Sequence, residues 1–279
     1  MQSTVDIRLV VADMDGTLLD ARGEVPDDMW PLLAQLRESG IVFAPASGRQ
    51  YATLARLFER AIDGLAFIAE NGTYVVRDGV EVSSDALDPA VVRALVERLR
   101  ALAVDPGNPR DLGVVVCGKR SAYIERTDAA FRAEADTYYA TLAEVPDLLA
   151  IDDDVLKVAI YDFGDAETGT APGLVDFRAT HQVVVSGRHW IDVMNQGVDK
   201  GVAVRRLQRD LGITPDETVA FGDYLNDLQM LDAATHSYAM ANAHPDVIAR
   251  ARHLAPANTD AGVVTVLRAL LPAAPTAAS

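Results

Sequence analysis

Ile7-Arg8-Leu9-Val10-Val11-Ala12-Asp13-Met14-Asp15-Gly16-Thr17-Leu18 is the stretch on which the fold turns. The run Ile7–Ala12 is short, apolar and rich in Val and Leu, and it ends at an acidic pair. Such a run predicts a strand buried on both faces, hence a parallel one. Asp13 and Asp15 then stand at the carboxyl end of that strand, where open α/β sheets place their sites. In extended backbone, residues i and i+2 point the same way. Two like charges that close repel, so the pair needs a cation or a shared proton. Mg2+, a hard cation that prefers oxygen ligands, suits them. Gly16 permits a sharp turn and Thr17 supplies a hydroxyl. A DxDG run also opens a calcium loop, but here a hydrophobic strand precedes it.

Outward from this stretch the chain alternates. A helix is predicted over 26–39, stopping at Gly40, then a strand over 41–46, a helix over 51–61 and a strand over 65–69. Strand–helix alternation is the mark of a parallel α/β sheet. From Thr73 the rhythm changes. Two β-rich runs flank Asp78-Gly79, a hairpin signal. Helices are expected over 88–102, 129–143 and 174–181, with strands over 114–117, 122–125, 155–161, 182–186 and 190–193. Strands outnumber helices here, an α+β pattern. From Lys200 the α/β rhythm returns, with helices over 201–211, 226–233, 245–251 and 262–271 and strands over 218–221 and 237–240. The expected organisation is a discontinuous α/β core, residues 1–82 and 189–279, with an α+β domain inserted at 83–188.

Composition narrows the function classes. Among 279 residues, Lys and Arg number 25 against 41 Asp and Glu, a net charge of −16. That balance disfavours nucleic acid or an anionic membrane as partner, since both need a positive field. A single cysteine, Cys117, excludes a disulfide framework or a Cys-based zinc site. No stretch reaches the ~18 uninterrupted apolar residues of a membrane span, and residues 1–9 do not read as a signal peptide. The cytoplasm is the expected location, and the small, Pro-broken tail 272–279 is expected to fray.

Three further motifs sit at expected strand-to-helix junctions. Ala46-Ser47-Gly48-Arg49 offers a hydroxyl and backbone N–H groups to a phosphate; alternatively Ser47 is a plain helix cap. Arg49 either binds substrate or pairs with an acidic loop. In Gly197-Val198-Asp199-Lys200-Gly201 a lysine opens a helix, where the dipole repels it. Its position implies a compensating anion, a phosphate or the Asp13 carboxylate; otherwise it is a surface lysine. In Phe221-Gly222-Asp223-Tyr224-Leu225-Asn226-Asp227, Asp223 can complete a metal site with Asp13. Asn226 and Asp227 either ligate metal-bound water, orient Lys200 or cap the next helix.

Taken in order, DMDGTLLD, ASGR, GVDKG and GDYLND resemble the haloacid dehalogenase (HAD) superfamily over essentially the whole chain. The insertion resembles the type IIB (C2B) cap of its Cof-like phosphatases. The resemblance implies a Rossmann-like α/β core with a parallel sheet and an α+β cap. It implies Asp13 as nucleophile, forming an aspartyl-phosphate, and Asp15 as general acid/base. Ser47 and Lys200 would hold the phosphoryl group. Asp13, Asp15 (through its backbone carbonyl) and Asp223 would bind Mg2+. Glu70-Asn71-Gly72 is similar to a family motif whose Asn faces the substrate. Gly48, Arg49, Asn71 and Asn226 join the expected substrate-binding set, with Asp227 behind it.

The implied activity is Mg2+-dependent hydrolysis of a small phosphomonoester, a sugar phosphate or a flavin-pathway intermediate. A phosphotransferase or mutase would use the same aspartyl-phosphate. The cap is expected to act as a mobile lid that sets specificity. Lys119, Lys157 and His189 are its candidate specificity residues, each with a plainer alternative. Lys119 falls in a hairpin turn, Lys157 suits an edge strand, and His189 flanks a hinge that packs Trp190. The remaining histidines, His181, His236, His244 and His253, have no metal-ligand spacing.

Overall fold

A computed structural model describes residues 6–271, so the expectations for the extreme N-terminus and for the 272–279 tail lie outside the described residues. In chain order the elements are β1 (Leu9–Asp13), α1 (Met29–Glu38), β2 (Val42–Ala46), α2 (Tyr51–Leu57), β3 (Ala66–Ala69), β4 (Tyr74–Arg77), β5 (Val80–Ser84), α3 (Pro89–Ala103), β6 (Leu112–Gly118), β7 (Ala122–Ile124), α4 (Ala129–Tyr138), β8 (Leu142–Glu144), β9 (Val155–Asp162), β10 (His181–Val185), β11 (Trp190–Asn195), α5 (Lys200–Leu211), β12 (Thr218–Gly222), α6 (Leu228–Asp232), β13 (His236–Met240), α7 (Pro245–Arg250), β14 (His253–Ala255) and α8 (Gly262–Leu270). They form two compact units, Met1–Ser83 with Asp199–Ser279, and Ser84–Val198.

The first unit is built on a sheet of order β14-β13-β12-β1-β2-β3-β4-β5. From β14 to β3 the pairings are parallel, and β4 turns antiparallel onto β3. β1 is central and every one of its residues is buried. Alternate side chains serve opposite faces. Val10 and Ala12 join a cluster with Phe43, Phe221 and the apolar stripes of α1 and α8. Leu9 and Val11 join Ala44, Ala220 and residues of α5, α6 and α7. Each fully buried Leu or Val contributes about 1.5–3 kcal/mol, so a continuous apolar run is what a doubly covered strand requires.

The second unit has a sheet of order β10-β11-β9-β6-β7-β8, antiparallel except for β7 with β8. One face packs against α3 and the tight helical segment Ala171–Ala179, the other against α4. The fold is therefore an α/β core with an α+β insertion.

Several local expectations change. β11 pairs with β9 and β10 in the second sheet, so the return to the core falls at Asp199 and not at 189. The helix expected over 129–143 ends at Tyr138, because Leu142–Glu144 pairs with β7. β14 was not anticipated; its short His253–Ala255 run carries only one buried residue. The helix expected over 226–233 divides into a tight turn, Leu225–Asp227, and α6. No helix among the described residues is long and apolar enough to cross a membrane.

Candidate active site

Three adjacent parallel strands end together. The register pairs Asp13 with Ala46 and Ala12 with Phe221, so the segments after β1, β2 and β12 leave the sheet side by side. The chain after Asp13 makes one wide turn, Met14–Leu18, closed by the Leu19 N–H donating to the Met14 carbonyl at 2.9 Å. Gly16 sits in it at φ +81°, and a Cβ there would run into the Asp223 carboxylate. Glycine thus supplies both the left-handed backbone and the close approach. Thr17 Oγ1 donates to Asp223 Oδ1 at 2.8 Å, tying the first motif to the fourth.

Lys200, the first residue of α5, is 1% exposed. Its Nζ donates to Asp13 Oδ1 at 2.5 Å and to Asp227 Oδ1 at 2.7 Å. These carboxylates are the anions that its place at a helix start calls for. Asp199 caps α5 by accepting from the Val202 N–H at 2.7 Å. Gly72, at φ +98°, lets the third-strand loop lie against the Asp199 carbonyl, where a Cβ would collide. Asp227 uses its other oxygen on the N–H groups of Asp223 (3.0 Å) and Tyr224 (3.3 Å). It therefore braces the loop before it and orients Lys200.

The Asp15 carboxylate meets Arg49 in a two-pronged ion pair, Nε to Oδ2 at 3.0 Å and Nη2 to Oδ1 at 2.6 Å. Arg49 thus pairs with the acidic loop. Ser47 is not a helix cap, since α2 begins at Tyr51; its Oγ accepts from the Arg49 N–H at 3.2 Å and closes a short loop. Glu70 and Asn71 both take positive φ, 50° and 56°. The Asn71 N–H donates to the Ser47 carbonyl at 2.9 Å. Its side chain lies beside Gly48 and accepts from Asn226 Nδ2 at 3.5 Å.

Electrostatics single out the carboxylates. Asp13, Asp223 and Asp227 each offer an oxygen within 4.8 Å of the others. Burial pushes the Asp13 carboxyl well above its usual value, and the Asp227 charge adds to this against the pull of Lys200. Burial likewise raises Asp223, opposed by its bond from Thr17. Burial works against the Lys200 ammonium, but the charges of Asp13 and Asp227 outweigh it, and its pKa is raised. Three carboxylates share one ammonium, which leaves surplus negative charge on hard oxygen donors. That donor set fits a cation such as Mg2+.

The second unit's candidates have other partners. Lys157 is 4% exposed on β9, an interior strand, and its Nζ lies 3.1 Å from Asp192 Oδ1. An edge-strand role is thereby excluded. Lys119 pairs with Asp154 at 3.2 Å. His189 stacks on Tyr161, and its Nδ1 lies 2.9 Å from the Asp162 carbonyl.

Two residues escaped the sequence reading. Asn242 Nδ2 donates to the Gly16 carbonyl, and Asn258 Nδ2 to the Leu19 carbonyl, both at 2.8 Å. The available signal was positional, because Asn242 follows β13 just as the four motifs follow or abut their strands.

Comparison with known proteins agrees with this geometry. The family model of the haloacid dehalogenase-like hydrolases matches residues 10–267. The chain is 32% identical over 272 residues to 5-amino-6-(5-phospho-D-ribitylamino)uracil phosphatase YbjI of Escherichia coli, covering 96% of this chain and 97% of that one. A crystal structure from Eubacterium rectale superposes with a TM-score of 0.85 at 26% identity, covering 95% and 99% of the two chains. The HAD subclass IIB sugar phosphatase BT4131 shares the fold, with a TM-score of 0.76 at 20% identity over 95% and 100%. With four motifs meeting at one sheet edge and a family match over nearly its full length, the chain belongs to the haloacid dehalogenase-like hydrolases.

Proposed function

We propose that this phosphatase hydrolyses a small phosphomonoester in the cytoplasm, with Mg2+ as cofactor and Asp13 as nucleophile. The observation that carries the reading is the group formed at the strand ends by buried Asp13, Lys200 and Asp227 with half-buried Asp223. Asp13 Oδ attacks the phosphorus and the ester oxygen departs, giving an aspartyl-phosphate. Water then attacks that phosphorus, and inorganic phosphate leaves as the carboxylate re-forms. Splitting one displacement into two lowers each barrier. Asp15 gives a proton to the departing alkoxide and takes one from the water. To do so it must loosen from Arg49, and an incoming phosphoryl group offers that guanidinium another anion. Lys200 and Ser47 hold phosphoryl oxygens, with Gly48, Asn71 and Asn226 beside them. Bound by Asp13, Asp223 and the Asp15 backbone carbonyl, Mg2+ supplies charge neutralisation to a reaction that depends on it more than on covalent chemistry.

The named substrate of the YbjI relative makes a phosphorylated ribitylaminouracil the first candidate, with sugar phosphates next. The test is a panel of phosphorylated metabolites scored for phosphate release with Mg2+ and no acceptor. Release from one compound at a kcat/KM well above the rest is expected. Turnover that appears only when a second hydroxyl compound is added would instead make the protein a phosphotransferase. Absence of turnover on every compound would overturn the reading.

A further inference from the structure

Three segments of the first unit hold the nucleophile turn, and the two that reach its carbonyls lie outside the four motifs. The Met14–Leu18 turn must hold Gly16 at positive φ and present Asp13 and Asp15 in fixed directions. Within the turn, the Thr17 hydroxyl donates to Asp223 Oδ1. From β13, Asn242 Nδ2 donates to the Gly16 carbonyl. From β14, Asn258 Nδ2 donates to the Leu19 carbonyl. The two asparagines are themselves joined, since the Asn258 N–H donates to Asn242 Oδ1 at 3.1 Å. A backbone N–H can only donate and a backbone carbonyl can only accept, so Asn242 has one amide orientation that satisfies both neighbours. The same segment ties to the other side of the site, where the His244 N–H donates to the Asp223 carbonyl at 2.8 Å.

We infer that Asn242 and Asn258 form an amide clamp that fixes the Met14–Leu18 turn and so positions Asp13 and Asp15 for reaction. This deepens the proposed function and rests on Asp13 being the nucleophile. The Gly16 carbonyl fixes the plane of the Gly16–Thr17 peptide. That plane sets the direction of the Asp15 backbone on one side and of the Thr17 hydroxyl on the other. Asn242 is solvent-exposed, so its amide is spent on holding the turn and not on filling a core. Both asparagines act through the turn and are positioning residues.

The experiment compares Asn242→Asp, Asn242→Ala, Asn258→Asp and Asn258→Ala with the parent on p-nitrophenyl phosphate and Mg2+. Amide hydrogen exchange of the peptide spanning residues 9–20 is followed in parallel. Asn242→Asp keeps the shape but replaces the donor with an acceptor facing the Gly16 carbonyl. Misplacing catalytic groups by about 1 Å can cost on the order of 100-fold. We expect kcat to fall ten- to a hundredfold, KM to change less, and exchange in Met14–Leu18 to quicken, with Tm close to the parent's. Combining Asn242→Ala with Asn258→Ala should cost less than the product of the two single alanine effects, since both amides hold the same turn. Parent-like kcat in Asn242→Asp, or exchange in the turn that stays as slow as the parent's, would overturn the clamp. A fall confined to kcat/KM through KM would make Asn242 a substrate contact and overturn it too. If the parent itself fails to turn over, the proposed function falls, and the exchange measurement alone decides the clamp.

Discussion

Each unit buries a lysine beside carboxylates and apolar side chains, yet the two ammonium groups differ in what surrounds them. Lys157 lies within β9 of the second unit, with Asp192 across the strand pair at 3.1 Å and apolar neighbours along its own strand. Lys200 opens α5 in the first unit and stands between two carboxylates, with a third, Asp223, within reach of both. One charge facing Asp192 reads as a structural ion pair, whose cost of desolvation is met by mutual attraction. One charge facing a surplus of carboxylates is an incomplete arrangement that a further cation can complete, and only then can an anionic phosphoryl group approach. Burial alone is therefore no guide to function; the local charge balance and the strand end are.

The largest effect that bears on this difference comes from Asp13→Asn. A neutral amide cannot form an acyl-phosphate, so turnover should fall below detection. Stability should not fall with it. The Asp13 carboxyl is pushed up by burial and by Asp227, so at neutral pH its charge works against the folded state, and removing it relieves that cost. The check is kcat with Mg2+ present, alongside Tm in metal-free buffer. Residual turnover above a small fraction, or a Tm well below the parent's, would break the contrast.

Metal removal comes next. Excess EDTA should silence phosphate release and Mg2+ should restore it, whereas Ca2+ should inhibit, because its looser and higher coordination misplaces the attacking oxygen. Full activity in EDTA would show that the surplus of carboxylates is not a cation site.

Exchanging the two lysines for methionine then compares the units directly. Lys200→Met should lower kcat on an aryl phosphate by roughly 100-fold or more, on the scale of losing one preorganised electrostatic contact. Lys157→Met leaves Asp192 buried without this ammonium, which costs on the order of 3–5 kcal/mol of stability. Its kcat on the same substrate should stay within a few-fold. Adding Asp192→Asn to Lys157→Met should recover much of the lost stability. Alanine variants of Lys119 and His189 extend the comparison, with kcat/KM measured on a phosphorylated sugar and on an aryl phosphate. A ratio that shifts for Lys157→Met but not for Lys119→Ala and His189→Ala would reverse the assignment of Lys157 to structure.

What the sequence made legible follows the same division. β1 could be read from IRLVVA because a strand covered on both faces tolerates no polar interruption between Leu9 and Ala12. The four motifs were legible because each places unusual residue types at a strand end. Lys200 at a helix start had to find an anion, and it found two. Asn242 and Asn258 were not legible, because an amide that holds a backbone carbonyl has the composition of any loop. Lys157 was ambiguous because alternation along VLKVAIY says that it faces a sheet surface but not what covers that surface. The boundary at 189 missed because Trp190–Asn195 has the apolar pattern of either sheet, and only its pairing with β9 and β10 assigns it.

The smallest expected effect is a difference in acid sensitivity. In the second unit, hydrogen bonds from Arg126 hold Asp128 below its usual value and those from Arg100 do the same for Asp147. A carboxyl lowered on folding contributes stability above its unfolded pKa of about 4 and loses it below that, as pH falls through its lowered folded value. The first unit has such groups too, with Arg250 lowering Asp232, but it also holds Asp13 and Asp223, which burial raises. A raised carboxyl takes up its proton more readily folded than unfolded, so acidification relieves a cost there and partly offsets the loss elsewhere. All the surface pairs are exposed and each contributes little. Relief of the raised carboxyls comes above about pH 4 and loss of the lowered ones below it, so the second unit is expected to weaken first as pH falls past about 4. The two tryptophans permit the comparison, since Trp30 lies in the first unit under Arg60 and Trp190 lies in the second against Tyr161. In metal-free Trp190→Phe and Trp30→Phe variants, the fluorescence transition of Trp190 should occur at higher pH than that of Trp30. Coincident transitions would mean that the units melt as one, and a reversed order would mean that the buried carboxylates do not offset acid loss in the core.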